Sequence, residues 1–317
     1  MKRHVPLLVA ACVAAAALSA PAAPLQRADV SANPAWILHV DCDALRQTYI
    51  GKYLLYQMDK PEMNSNMLAF QSIFTFDLRT QIHGLTGYCD GPASKNGIVI
   101  LYADVDPDRL IKLVQAADGA DAFTNNQQVI YTWIDKAKKP ENGDSPRKYA
   151  AFQGSRVIMS TGRESMIAAL AVIDGAAPNL SASKVWPELG AASDATFVQA
   201  AARKLDFLGS DPNMGLLKMS KQARLKASEA DEQLNVALTA ELGDESTATQ
   251  MSIVVQGLVA LLSLQRDNPA AAKLAGGLSV KRDGSILTVT LAIPSTDLIA
   301  ALKAYTAEKA RLNVATE

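Results

Sequence analysis

Three side chains in this sequence have residue types suited to a metal-assisted or acid–base site: His39, Asp41 and His83. His39 and Asp41 stand two apart in the run Trp36-Ile37-Leu38-His39-Val40, ended by Asp41-Cys42-Asp43. On an extended strand they share one face, as His83 and Cys89 do on a later β-rich run. A catalytic zinc site takes three protein ligands and keeps one position open. Those three residues supply the number if the two strands are neighbours with aligned faces. Their spacing matches no zinc motif, however, and strand histidines bonded within the fold account for the same residues. The expectation is therefore no metal and no cofactor.

Other chemistry is thinly represented. Cys42 and Cys89 are an even pair at the ends of expected strands. A bridge between them would close a loop of about 46 residues and add ~4 kcal/mol on a chain-entropy estimate; two buried thiols are the alternative. Asp104-x-Asp106-x-Asp108 has the carboxylate spacing of a calcium loop but lacks its glycine and distal glutamate, so helix capping is the simpler reading. Ser145-Pro146-Arg147-Lys148 and Ser181-Ala182-Ser183-Lys184 both match Ser-x-x-Lys, a pattern cheap enough to occur twice by chance. No Gly-x-Ser-x-Gly elbow and no phosphate-binding glycine loop is present. No catalytic residue is assigned.

The elements that must position these groups begin behind an export signal. Lys2, Arg3 and His4 precede an apolar run, and Ala20-Pro21-Ala22 supplies the small-x-small pattern for cleavage after Ala22. A competing reading makes Val9-Ala10-Ala11-Cys12 a lipobox with Cys12 acylated, but the residues after Cys12 stay apolar where a tether would be polar. The expected location is periplasmic or secreted. The chain of 317 residues has net charge −1, and loss of Lys2 and Arg3 makes it more negative still. Such a balance argues against nucleic acid as a partner. The most apolar later stretch, 251–264, is short for a membrane span and reads as a buried helix, so no transmembrane segment is expected in the mature chain.

Ordered structure should begin at Trp36, after a flexible leader at 23–35. A strand, an acidic turn and an amphipathic helix over 44–58 follow, with Asp43 expected as N-cap. The echo Leu38-x-x-Asp41-x-Asp43 and Leu101-x-x-Asp104-x-Asp106 opens a second such passage, with Pro107 at the first helical position. Asp283-Gly284 between alternating runs signals a hairpin, and Gln153-Gly154-Ser155 a second one. Lys218, Lys221, Arg224 and Lys226 are placed on a solvated helix face. Trp36, Trp133 and Trp186 are expected in cores rather than lining a pocket. The architecture is α+β, with mixed or antiparallel sheets and helices packed on one face. A composition shift near 175–183 divides it into halves at 36–178 and 179–317. Met166-Ile167-Ala168-Ala169-Leu170 and Leu298-Ile299-Ala300-Ala301-Leu302 close the two halves alike, as a duplicated module would.

Trp36-x-x-His39-Val40-Asp41-x-Asp43-x-Leu45-Arg46, with Gly51-Lys52, Asp59-Lys60-Pro61, Phe70-Gln71, Tyr131-x-Trp133 and Ala202-Arg203-Lys204, resembles a group of exported bacterial proteins of unknown function. The resemblance implies export and brings no catalytic residues. The leading expectation is a non-catalytic binding or scaffolding module of the cell envelope, with an envelope protein as a conceivable partner. A periplasmic hydrolase or metal enzyme and a lipid-anchored surface protein are the alternatives.

Overall fold

The computed structural model describes residues 23–91, 97–136, 145–191, 195–203, 205, 215–265 and 269–314. The export signal with its cleavage point after Ala22, the lipobox cysteine Cys12, and residues 137–144 lie outside the described residues.

Twelve strands among the described residues form one sheet, antiparallel at every pairing. In chain order they are β1 (Trp36–Asp41), β2 (Ile82–Cys89), β3 (Ile98–Ala103), β4 (Asp121–Asn125), β5 (Gln128–Ile134), β6 (Arg147–Gln153), β7 (Arg156–Ser160), β8 (Thr196–Ala202), β9 (Ser220–Ala230), β10 (Gln233–Leu242), β11 (Leu278–Asp283) and β12 (Ile286–Pro294). Their order across the sheet is β11-β12-β10-β9-β8-β1-β2-β3-β7-β6-β5-β4. The fold is α+β. The two halves of the chain fill contiguous halves of one sheet, joined where β1 pairs with β8, Leu38 opposite Ala200. Each half lays down three strands as a meander, and its last strand then returns beside the third: β7 beside β3, β12 beside β10.

The helices are α1 (Cys42–Gln47), α2 (Tyr49–Met58), α3 (Pro61–Phe74), α4 (Pro107–Gln115), α5 (Arg163–Ile173), α6 (Gly215–Lys218), α7 (Glu245–Ser263), α8 (Pro269–Gly277) and α9 (Ser295–Val314). The single helix expected over 44–58 is broken at Thr48, whose extended backbone and hydroxyl cap the Gly51 N–H of α2. Asp41, not Asp43, caps α1 by accepting from the Ala44 N–H. The segment with Lys221, Arg224 and Lys226, expected as helix, is strand β9, where Ala223, Leu225 and Ala227 alternate with Arg224 and Lys226.

One face of the sheet carries Ile37, His39 and Asp41 from β1; the other carries Trp36, Leu38 and Val40. On the second face the α1–α2 segment, α8 and α9 cover a cluster built on Phe197, Ala227, Leu234 and Ile293, and α7 covers Ala240, Leu242 and Leu287. Helix α5 departs from the one covered face that was expected. It closes the first face through Met166, Ala169 and Leu170, which join Ile37, Ile100 and Ile158.

Residues 23–35 do not form a flexible leader. Leu25 and Val30 are buried in the first-face core. The Arg27 guanidinium donates to the carbonyls of Leu180 and Trp186 (2.7 Å each), Leu189 (2.9 Å) and Val185 (3.3 Å). Buried Asp29 accepts from Arg156 at 2.7 Å and from the Tyr102 hydroxyl at 3.0 Å. Apolar anchors combined with charge-assisted hydrogen bonds make the segment a strap across the sheet. The small-residue stretch after Gly175 is its counterpart, since Asn179 bridges Ser31 and Leu180 is fully buried.

Candidate functional site

His39 and His83 lie on adjacent strands, but the structure does not bring His39, Asp41 and His83 together as ligands. His39 is opposite Thr86 in the ladder and is buried. Its Nε2 lies 2.9 Å from the carbonyl oxygen of Ala23 and its Nδ1 2.9 Å from the Thr86 hydroxyl. A carbonyl only accepts, so Nε2 carries the proton and Nδ1 accepts from Thr86. Burial pushes the imidazole's pKa down, against the smaller opposing effects of Ala23 and Asp41. Asp41 is occupied in capping α1.

His83 occupies an irregular position in the β2–β3 pairing, between Ile82 and Gly84. Its Nδ1 lies 3.0 Å from Asp43 Oδ2 and its Nε2 2.9 Å from Asp104 Oδ2. Burial alone would lower this imidazole's pKa, but the hydrogen bonds it donates to Asp104 and Asp43 raise it above the usual histidine value. Asp43 also pairs with Arg46, whose other nitrogen donates to the Ile82 carbonyl at 2.6 Å. The ring therefore separates the two carboxylates instead of converging with them on an empty point. Among the described residues no group of three or more His, Cys, Asp or Glu side chains could hold a metal ion. Of the three carboxylates assigned to capping, Asp106 caps α4, Asp108 sits in its first turn, and Asp104 serves His83 instead.

The disulfide is not formed. Cys42 and Cys89 are not bridged to each other. Cys89 faces Trp36 at one end of β1, while Cys42 follows Asp41 at the other end, about 17 Å away along five residues of strand. A bridge needs Cα atoms within about 7 Å. Trp186 fills the first-face core as expected, donating its indole N–H to Gln222 at 2.9 Å. Trp36 does line a concavity.

The sequence places Glu229, with Asp231 and Glu232, on a solvated face behind a basic helix, and the structure corrects that. Glu229 is a buried carboxylate on the inward face of β9. It accepts from the backbone N–H groups of Tyr49 and Ile50 at the start of α2, and from the Ser295 hydroxyl at 2.8 Å at the start of α9. An alternating reading of Ala223, Leu225, Ala227 and Glu229 would have placed this acid inward. Its role is to join two helix N-termini to the sheet, which favour negative charge.

Two apolar features remain. On the second face a trough of about 390 Å3 runs between helix-covered clusters, with Trp36, Leu38, Ala200, Leu225, Leu238 and Leu217 on its surface. No polar side-chain surface lines it among the described residues. Helix α7, expected to be buried, turns Leu258 (55% exposed) and Leu261 (62%) outward, and Leu264 (68%) at its C-cap is exposed as well. By length and hydropathy α7 is also the one described helix that could cross a membrane.

No protein-family model matches this chain, and no curated protein matches it in sequence. Among solved structures, crystal form III of TP0453 is similar to it, with TM-score 0.51 and 9% identity over 90% of this chain and 99% of that one. Crystal form I of TP0453 gives TM-score 0.47 at 9% identity, over 90% and 98% of the two chains. The likeness to crystal form III shows a shared fold.

Proposed function

We propose that this chain is an exported, non-catalytic binding module of the cell envelope. One observation carries the second part of that reading: each polar residue first suspected of chemistry is committed to holding the fold. His39 locks the strap to the sheet, His83 ties α1 to the turn after β3, and Asp41 caps a helix. Activity needs a group with a free lone pair or a transferable proton beside a substrate cavity. Of the concavities among the described residues, the one with purely apolar lining has no such group, and the bonded histidines line none of them. The positive start, apolar run and Ala20-Pro21-Ala22 of the sequence support export.

Fractionation of the protein's own cells, followed by denaturing mass spectrometry, tests the first part. The expected species is an envelope-fraction chain beginning at Ala23; a cytoplasmic chain retaining residues 1–22 would overturn export, and an acylated Cys12 would replace secretion with anchoring. Turnover of any substrate that vanishes on a single substitution, with folding intact, would overturn the non-catalytic part.

A further inference from the structure

We infer that the second-face trough is a binding site for one unbranched aliphatic chain, a deepening that rests on the binding-module reading. Its floor is a single row of residues in register across four strands. Leu38 on β1 faces Ala200 on β8, Ala200 faces Leu225 on β9, and Leu225 faces Leu238 on β10. Three interstrand steps of ~4.8 Å give it a length of about 14 Å.

The rows on either side are its walls, one packed under the helical layer and the other lining the trough itself. Two residues along each strand, Val198, Ala227 and Val236 belong to the cluster with Leu45, Ile50, Leu274 and Leu298 of the helical layer. Two residues the other way, Trp36, Ala202 and Ala223 pack with Leu205 and Leu217. The open strip is thus one row wide: each flanking row lies about 7 Å from the floor, so the two are about 13 Å apart at the backbone, and their own side chains narrow the gap. Leu38 is 38% exposed although β1 lies in the interior of the sheet, and alanine at Ala200 keeps the floor low.

Width and lining select the ligand class. A fused-ring ligand would need two open rows, whereas a chain fits one. A charged group would find no partner inside, because Arg224 turns to the opposite face and pairs with Glu188. A buried charge without a partner is strongly disfavoured, so any polar head stays in water at the trough's mouth. The volume is within the range of small-molecule sites. Fatty acids, fatty alcohols and the acyl chains of single-chain phospholipids share this chemistry.

The experiment uses the chain from Ala23 and a neutral naphthylamine probe whose fluorescence rises in apolar surroundings. It is displaced by straight-chain alcohols of increasing length, then by the matching carboxylates and by a lysophosphatidylcholine. Saturable one-to-one displacement is expected, tightening about fourfold per added methylene and levelling off once the trough is full. Similar affinities for alcohol and carboxylate show that the head lies outside. Displacement by the lysophospholipid as well extends the source to membrane lipid, and its failure restricts the source to free chains.

Ala200→Leu should weaken displacement at least tenfold, while Leu261→Ser on the outer face of α7 leaves it unchanged. Unsaturable partitioning, equal binding in Ala200→Leu, or an equal loss in Leu261→Ser would overturn the site. If Ala200→Leu does not fold, the length dependence of the unaltered protein decides: affinity that never levels off overturns it. Chemical conversion of a bound chain would sink the non-catalytic reading and leave the site standing. Absence of saturable binding would remove the site and leave that reading untouched.

Discussion

His39 and His83 sit on neighbouring strands with opposite responses to protons: one ring is enclosed between a hydroxyl and a carbonyl, the other between two carboxylates. Burial lowers the His39 pKa; at His83 the bonds donated to Asp104 and Asp43 outweigh burial and raise it.

Their contributions to stability therefore have opposite slopes with pH. At His83 the folded state holds its proton more tightly than the unfolded state. That contribution is full below an unfolded value of about 6.5 and is lost as pH rises through the higher folded value. At His39 the unfolded state takes the proton first, so stability is lost as pH falls below about 6.5. Urea midpoints between about pH 5 and 8 should show that His83→Asn removes the acid-side gain, by about 1 kcal/mol or less given the exposure of Asp104. His39→Asn should remove an acid-side loss while lowering stability overall. Parallel pH profiles for the two variants would contradict this assignment.

The strap gives a second expectation. Leu25→Ala should cost about 2–4 kcal/mol in equilibrium denaturation, as for a leucine in a closed core. A mobile leader would leave the midpoint unmoved.

Glu229 should behave as a joint between sheet and helices. Glu229→Gln keeps the shape but places an amide N–H against backbone donors, so a loss of about 1–3 kcal/mol is expected. Amide exchange should quicken at Tyr49 and Ile50 in particular. Uniform quickening across the chain would mean that the side chain acts on global stability alone.

Reductant should leave the melting temperature unchanged, because Cys42 and Cys89 are not bridged. Denatured protein freed of residues 1–22 should titrate two thiols. In the folded state reaction should be slow: burial raises the Cys42 pKa, partly opposed by Arg46, and Cys89 is inaccessible.

Local signals in the sequence led to correct local structure. Asp283-Gly284 and Gln153-Gly154 do turn the chain between β11 and β12 and between β6 and β7, each with its glycine at positive φ. The hairpins at Asn126-Gln127 and Asp231-Glu232 turn with two successive left-handed residues and no glycine, at φ 46° and 70° and at 50° and 58°, and so gave no comparable signal. Strand β9 was hidden because alanine at Ala223 and Ala227 favours helix and softens the alternation. The histidine pairings and the trough depend on residues distant in sequence. Nothing local to Leu38 indicates that Ala200 will face it.

That last pairing governs the order in which the molecule can be completed. Strand β1 is the first made, and half of its hydrogen-bonding edge waits for β8, some 160 residues later. A chain interrupted before β8 keeps that edge open, a template for another β1 rather than a finished half-domain. The two halves of such a sheet can close on each other only once both have been made.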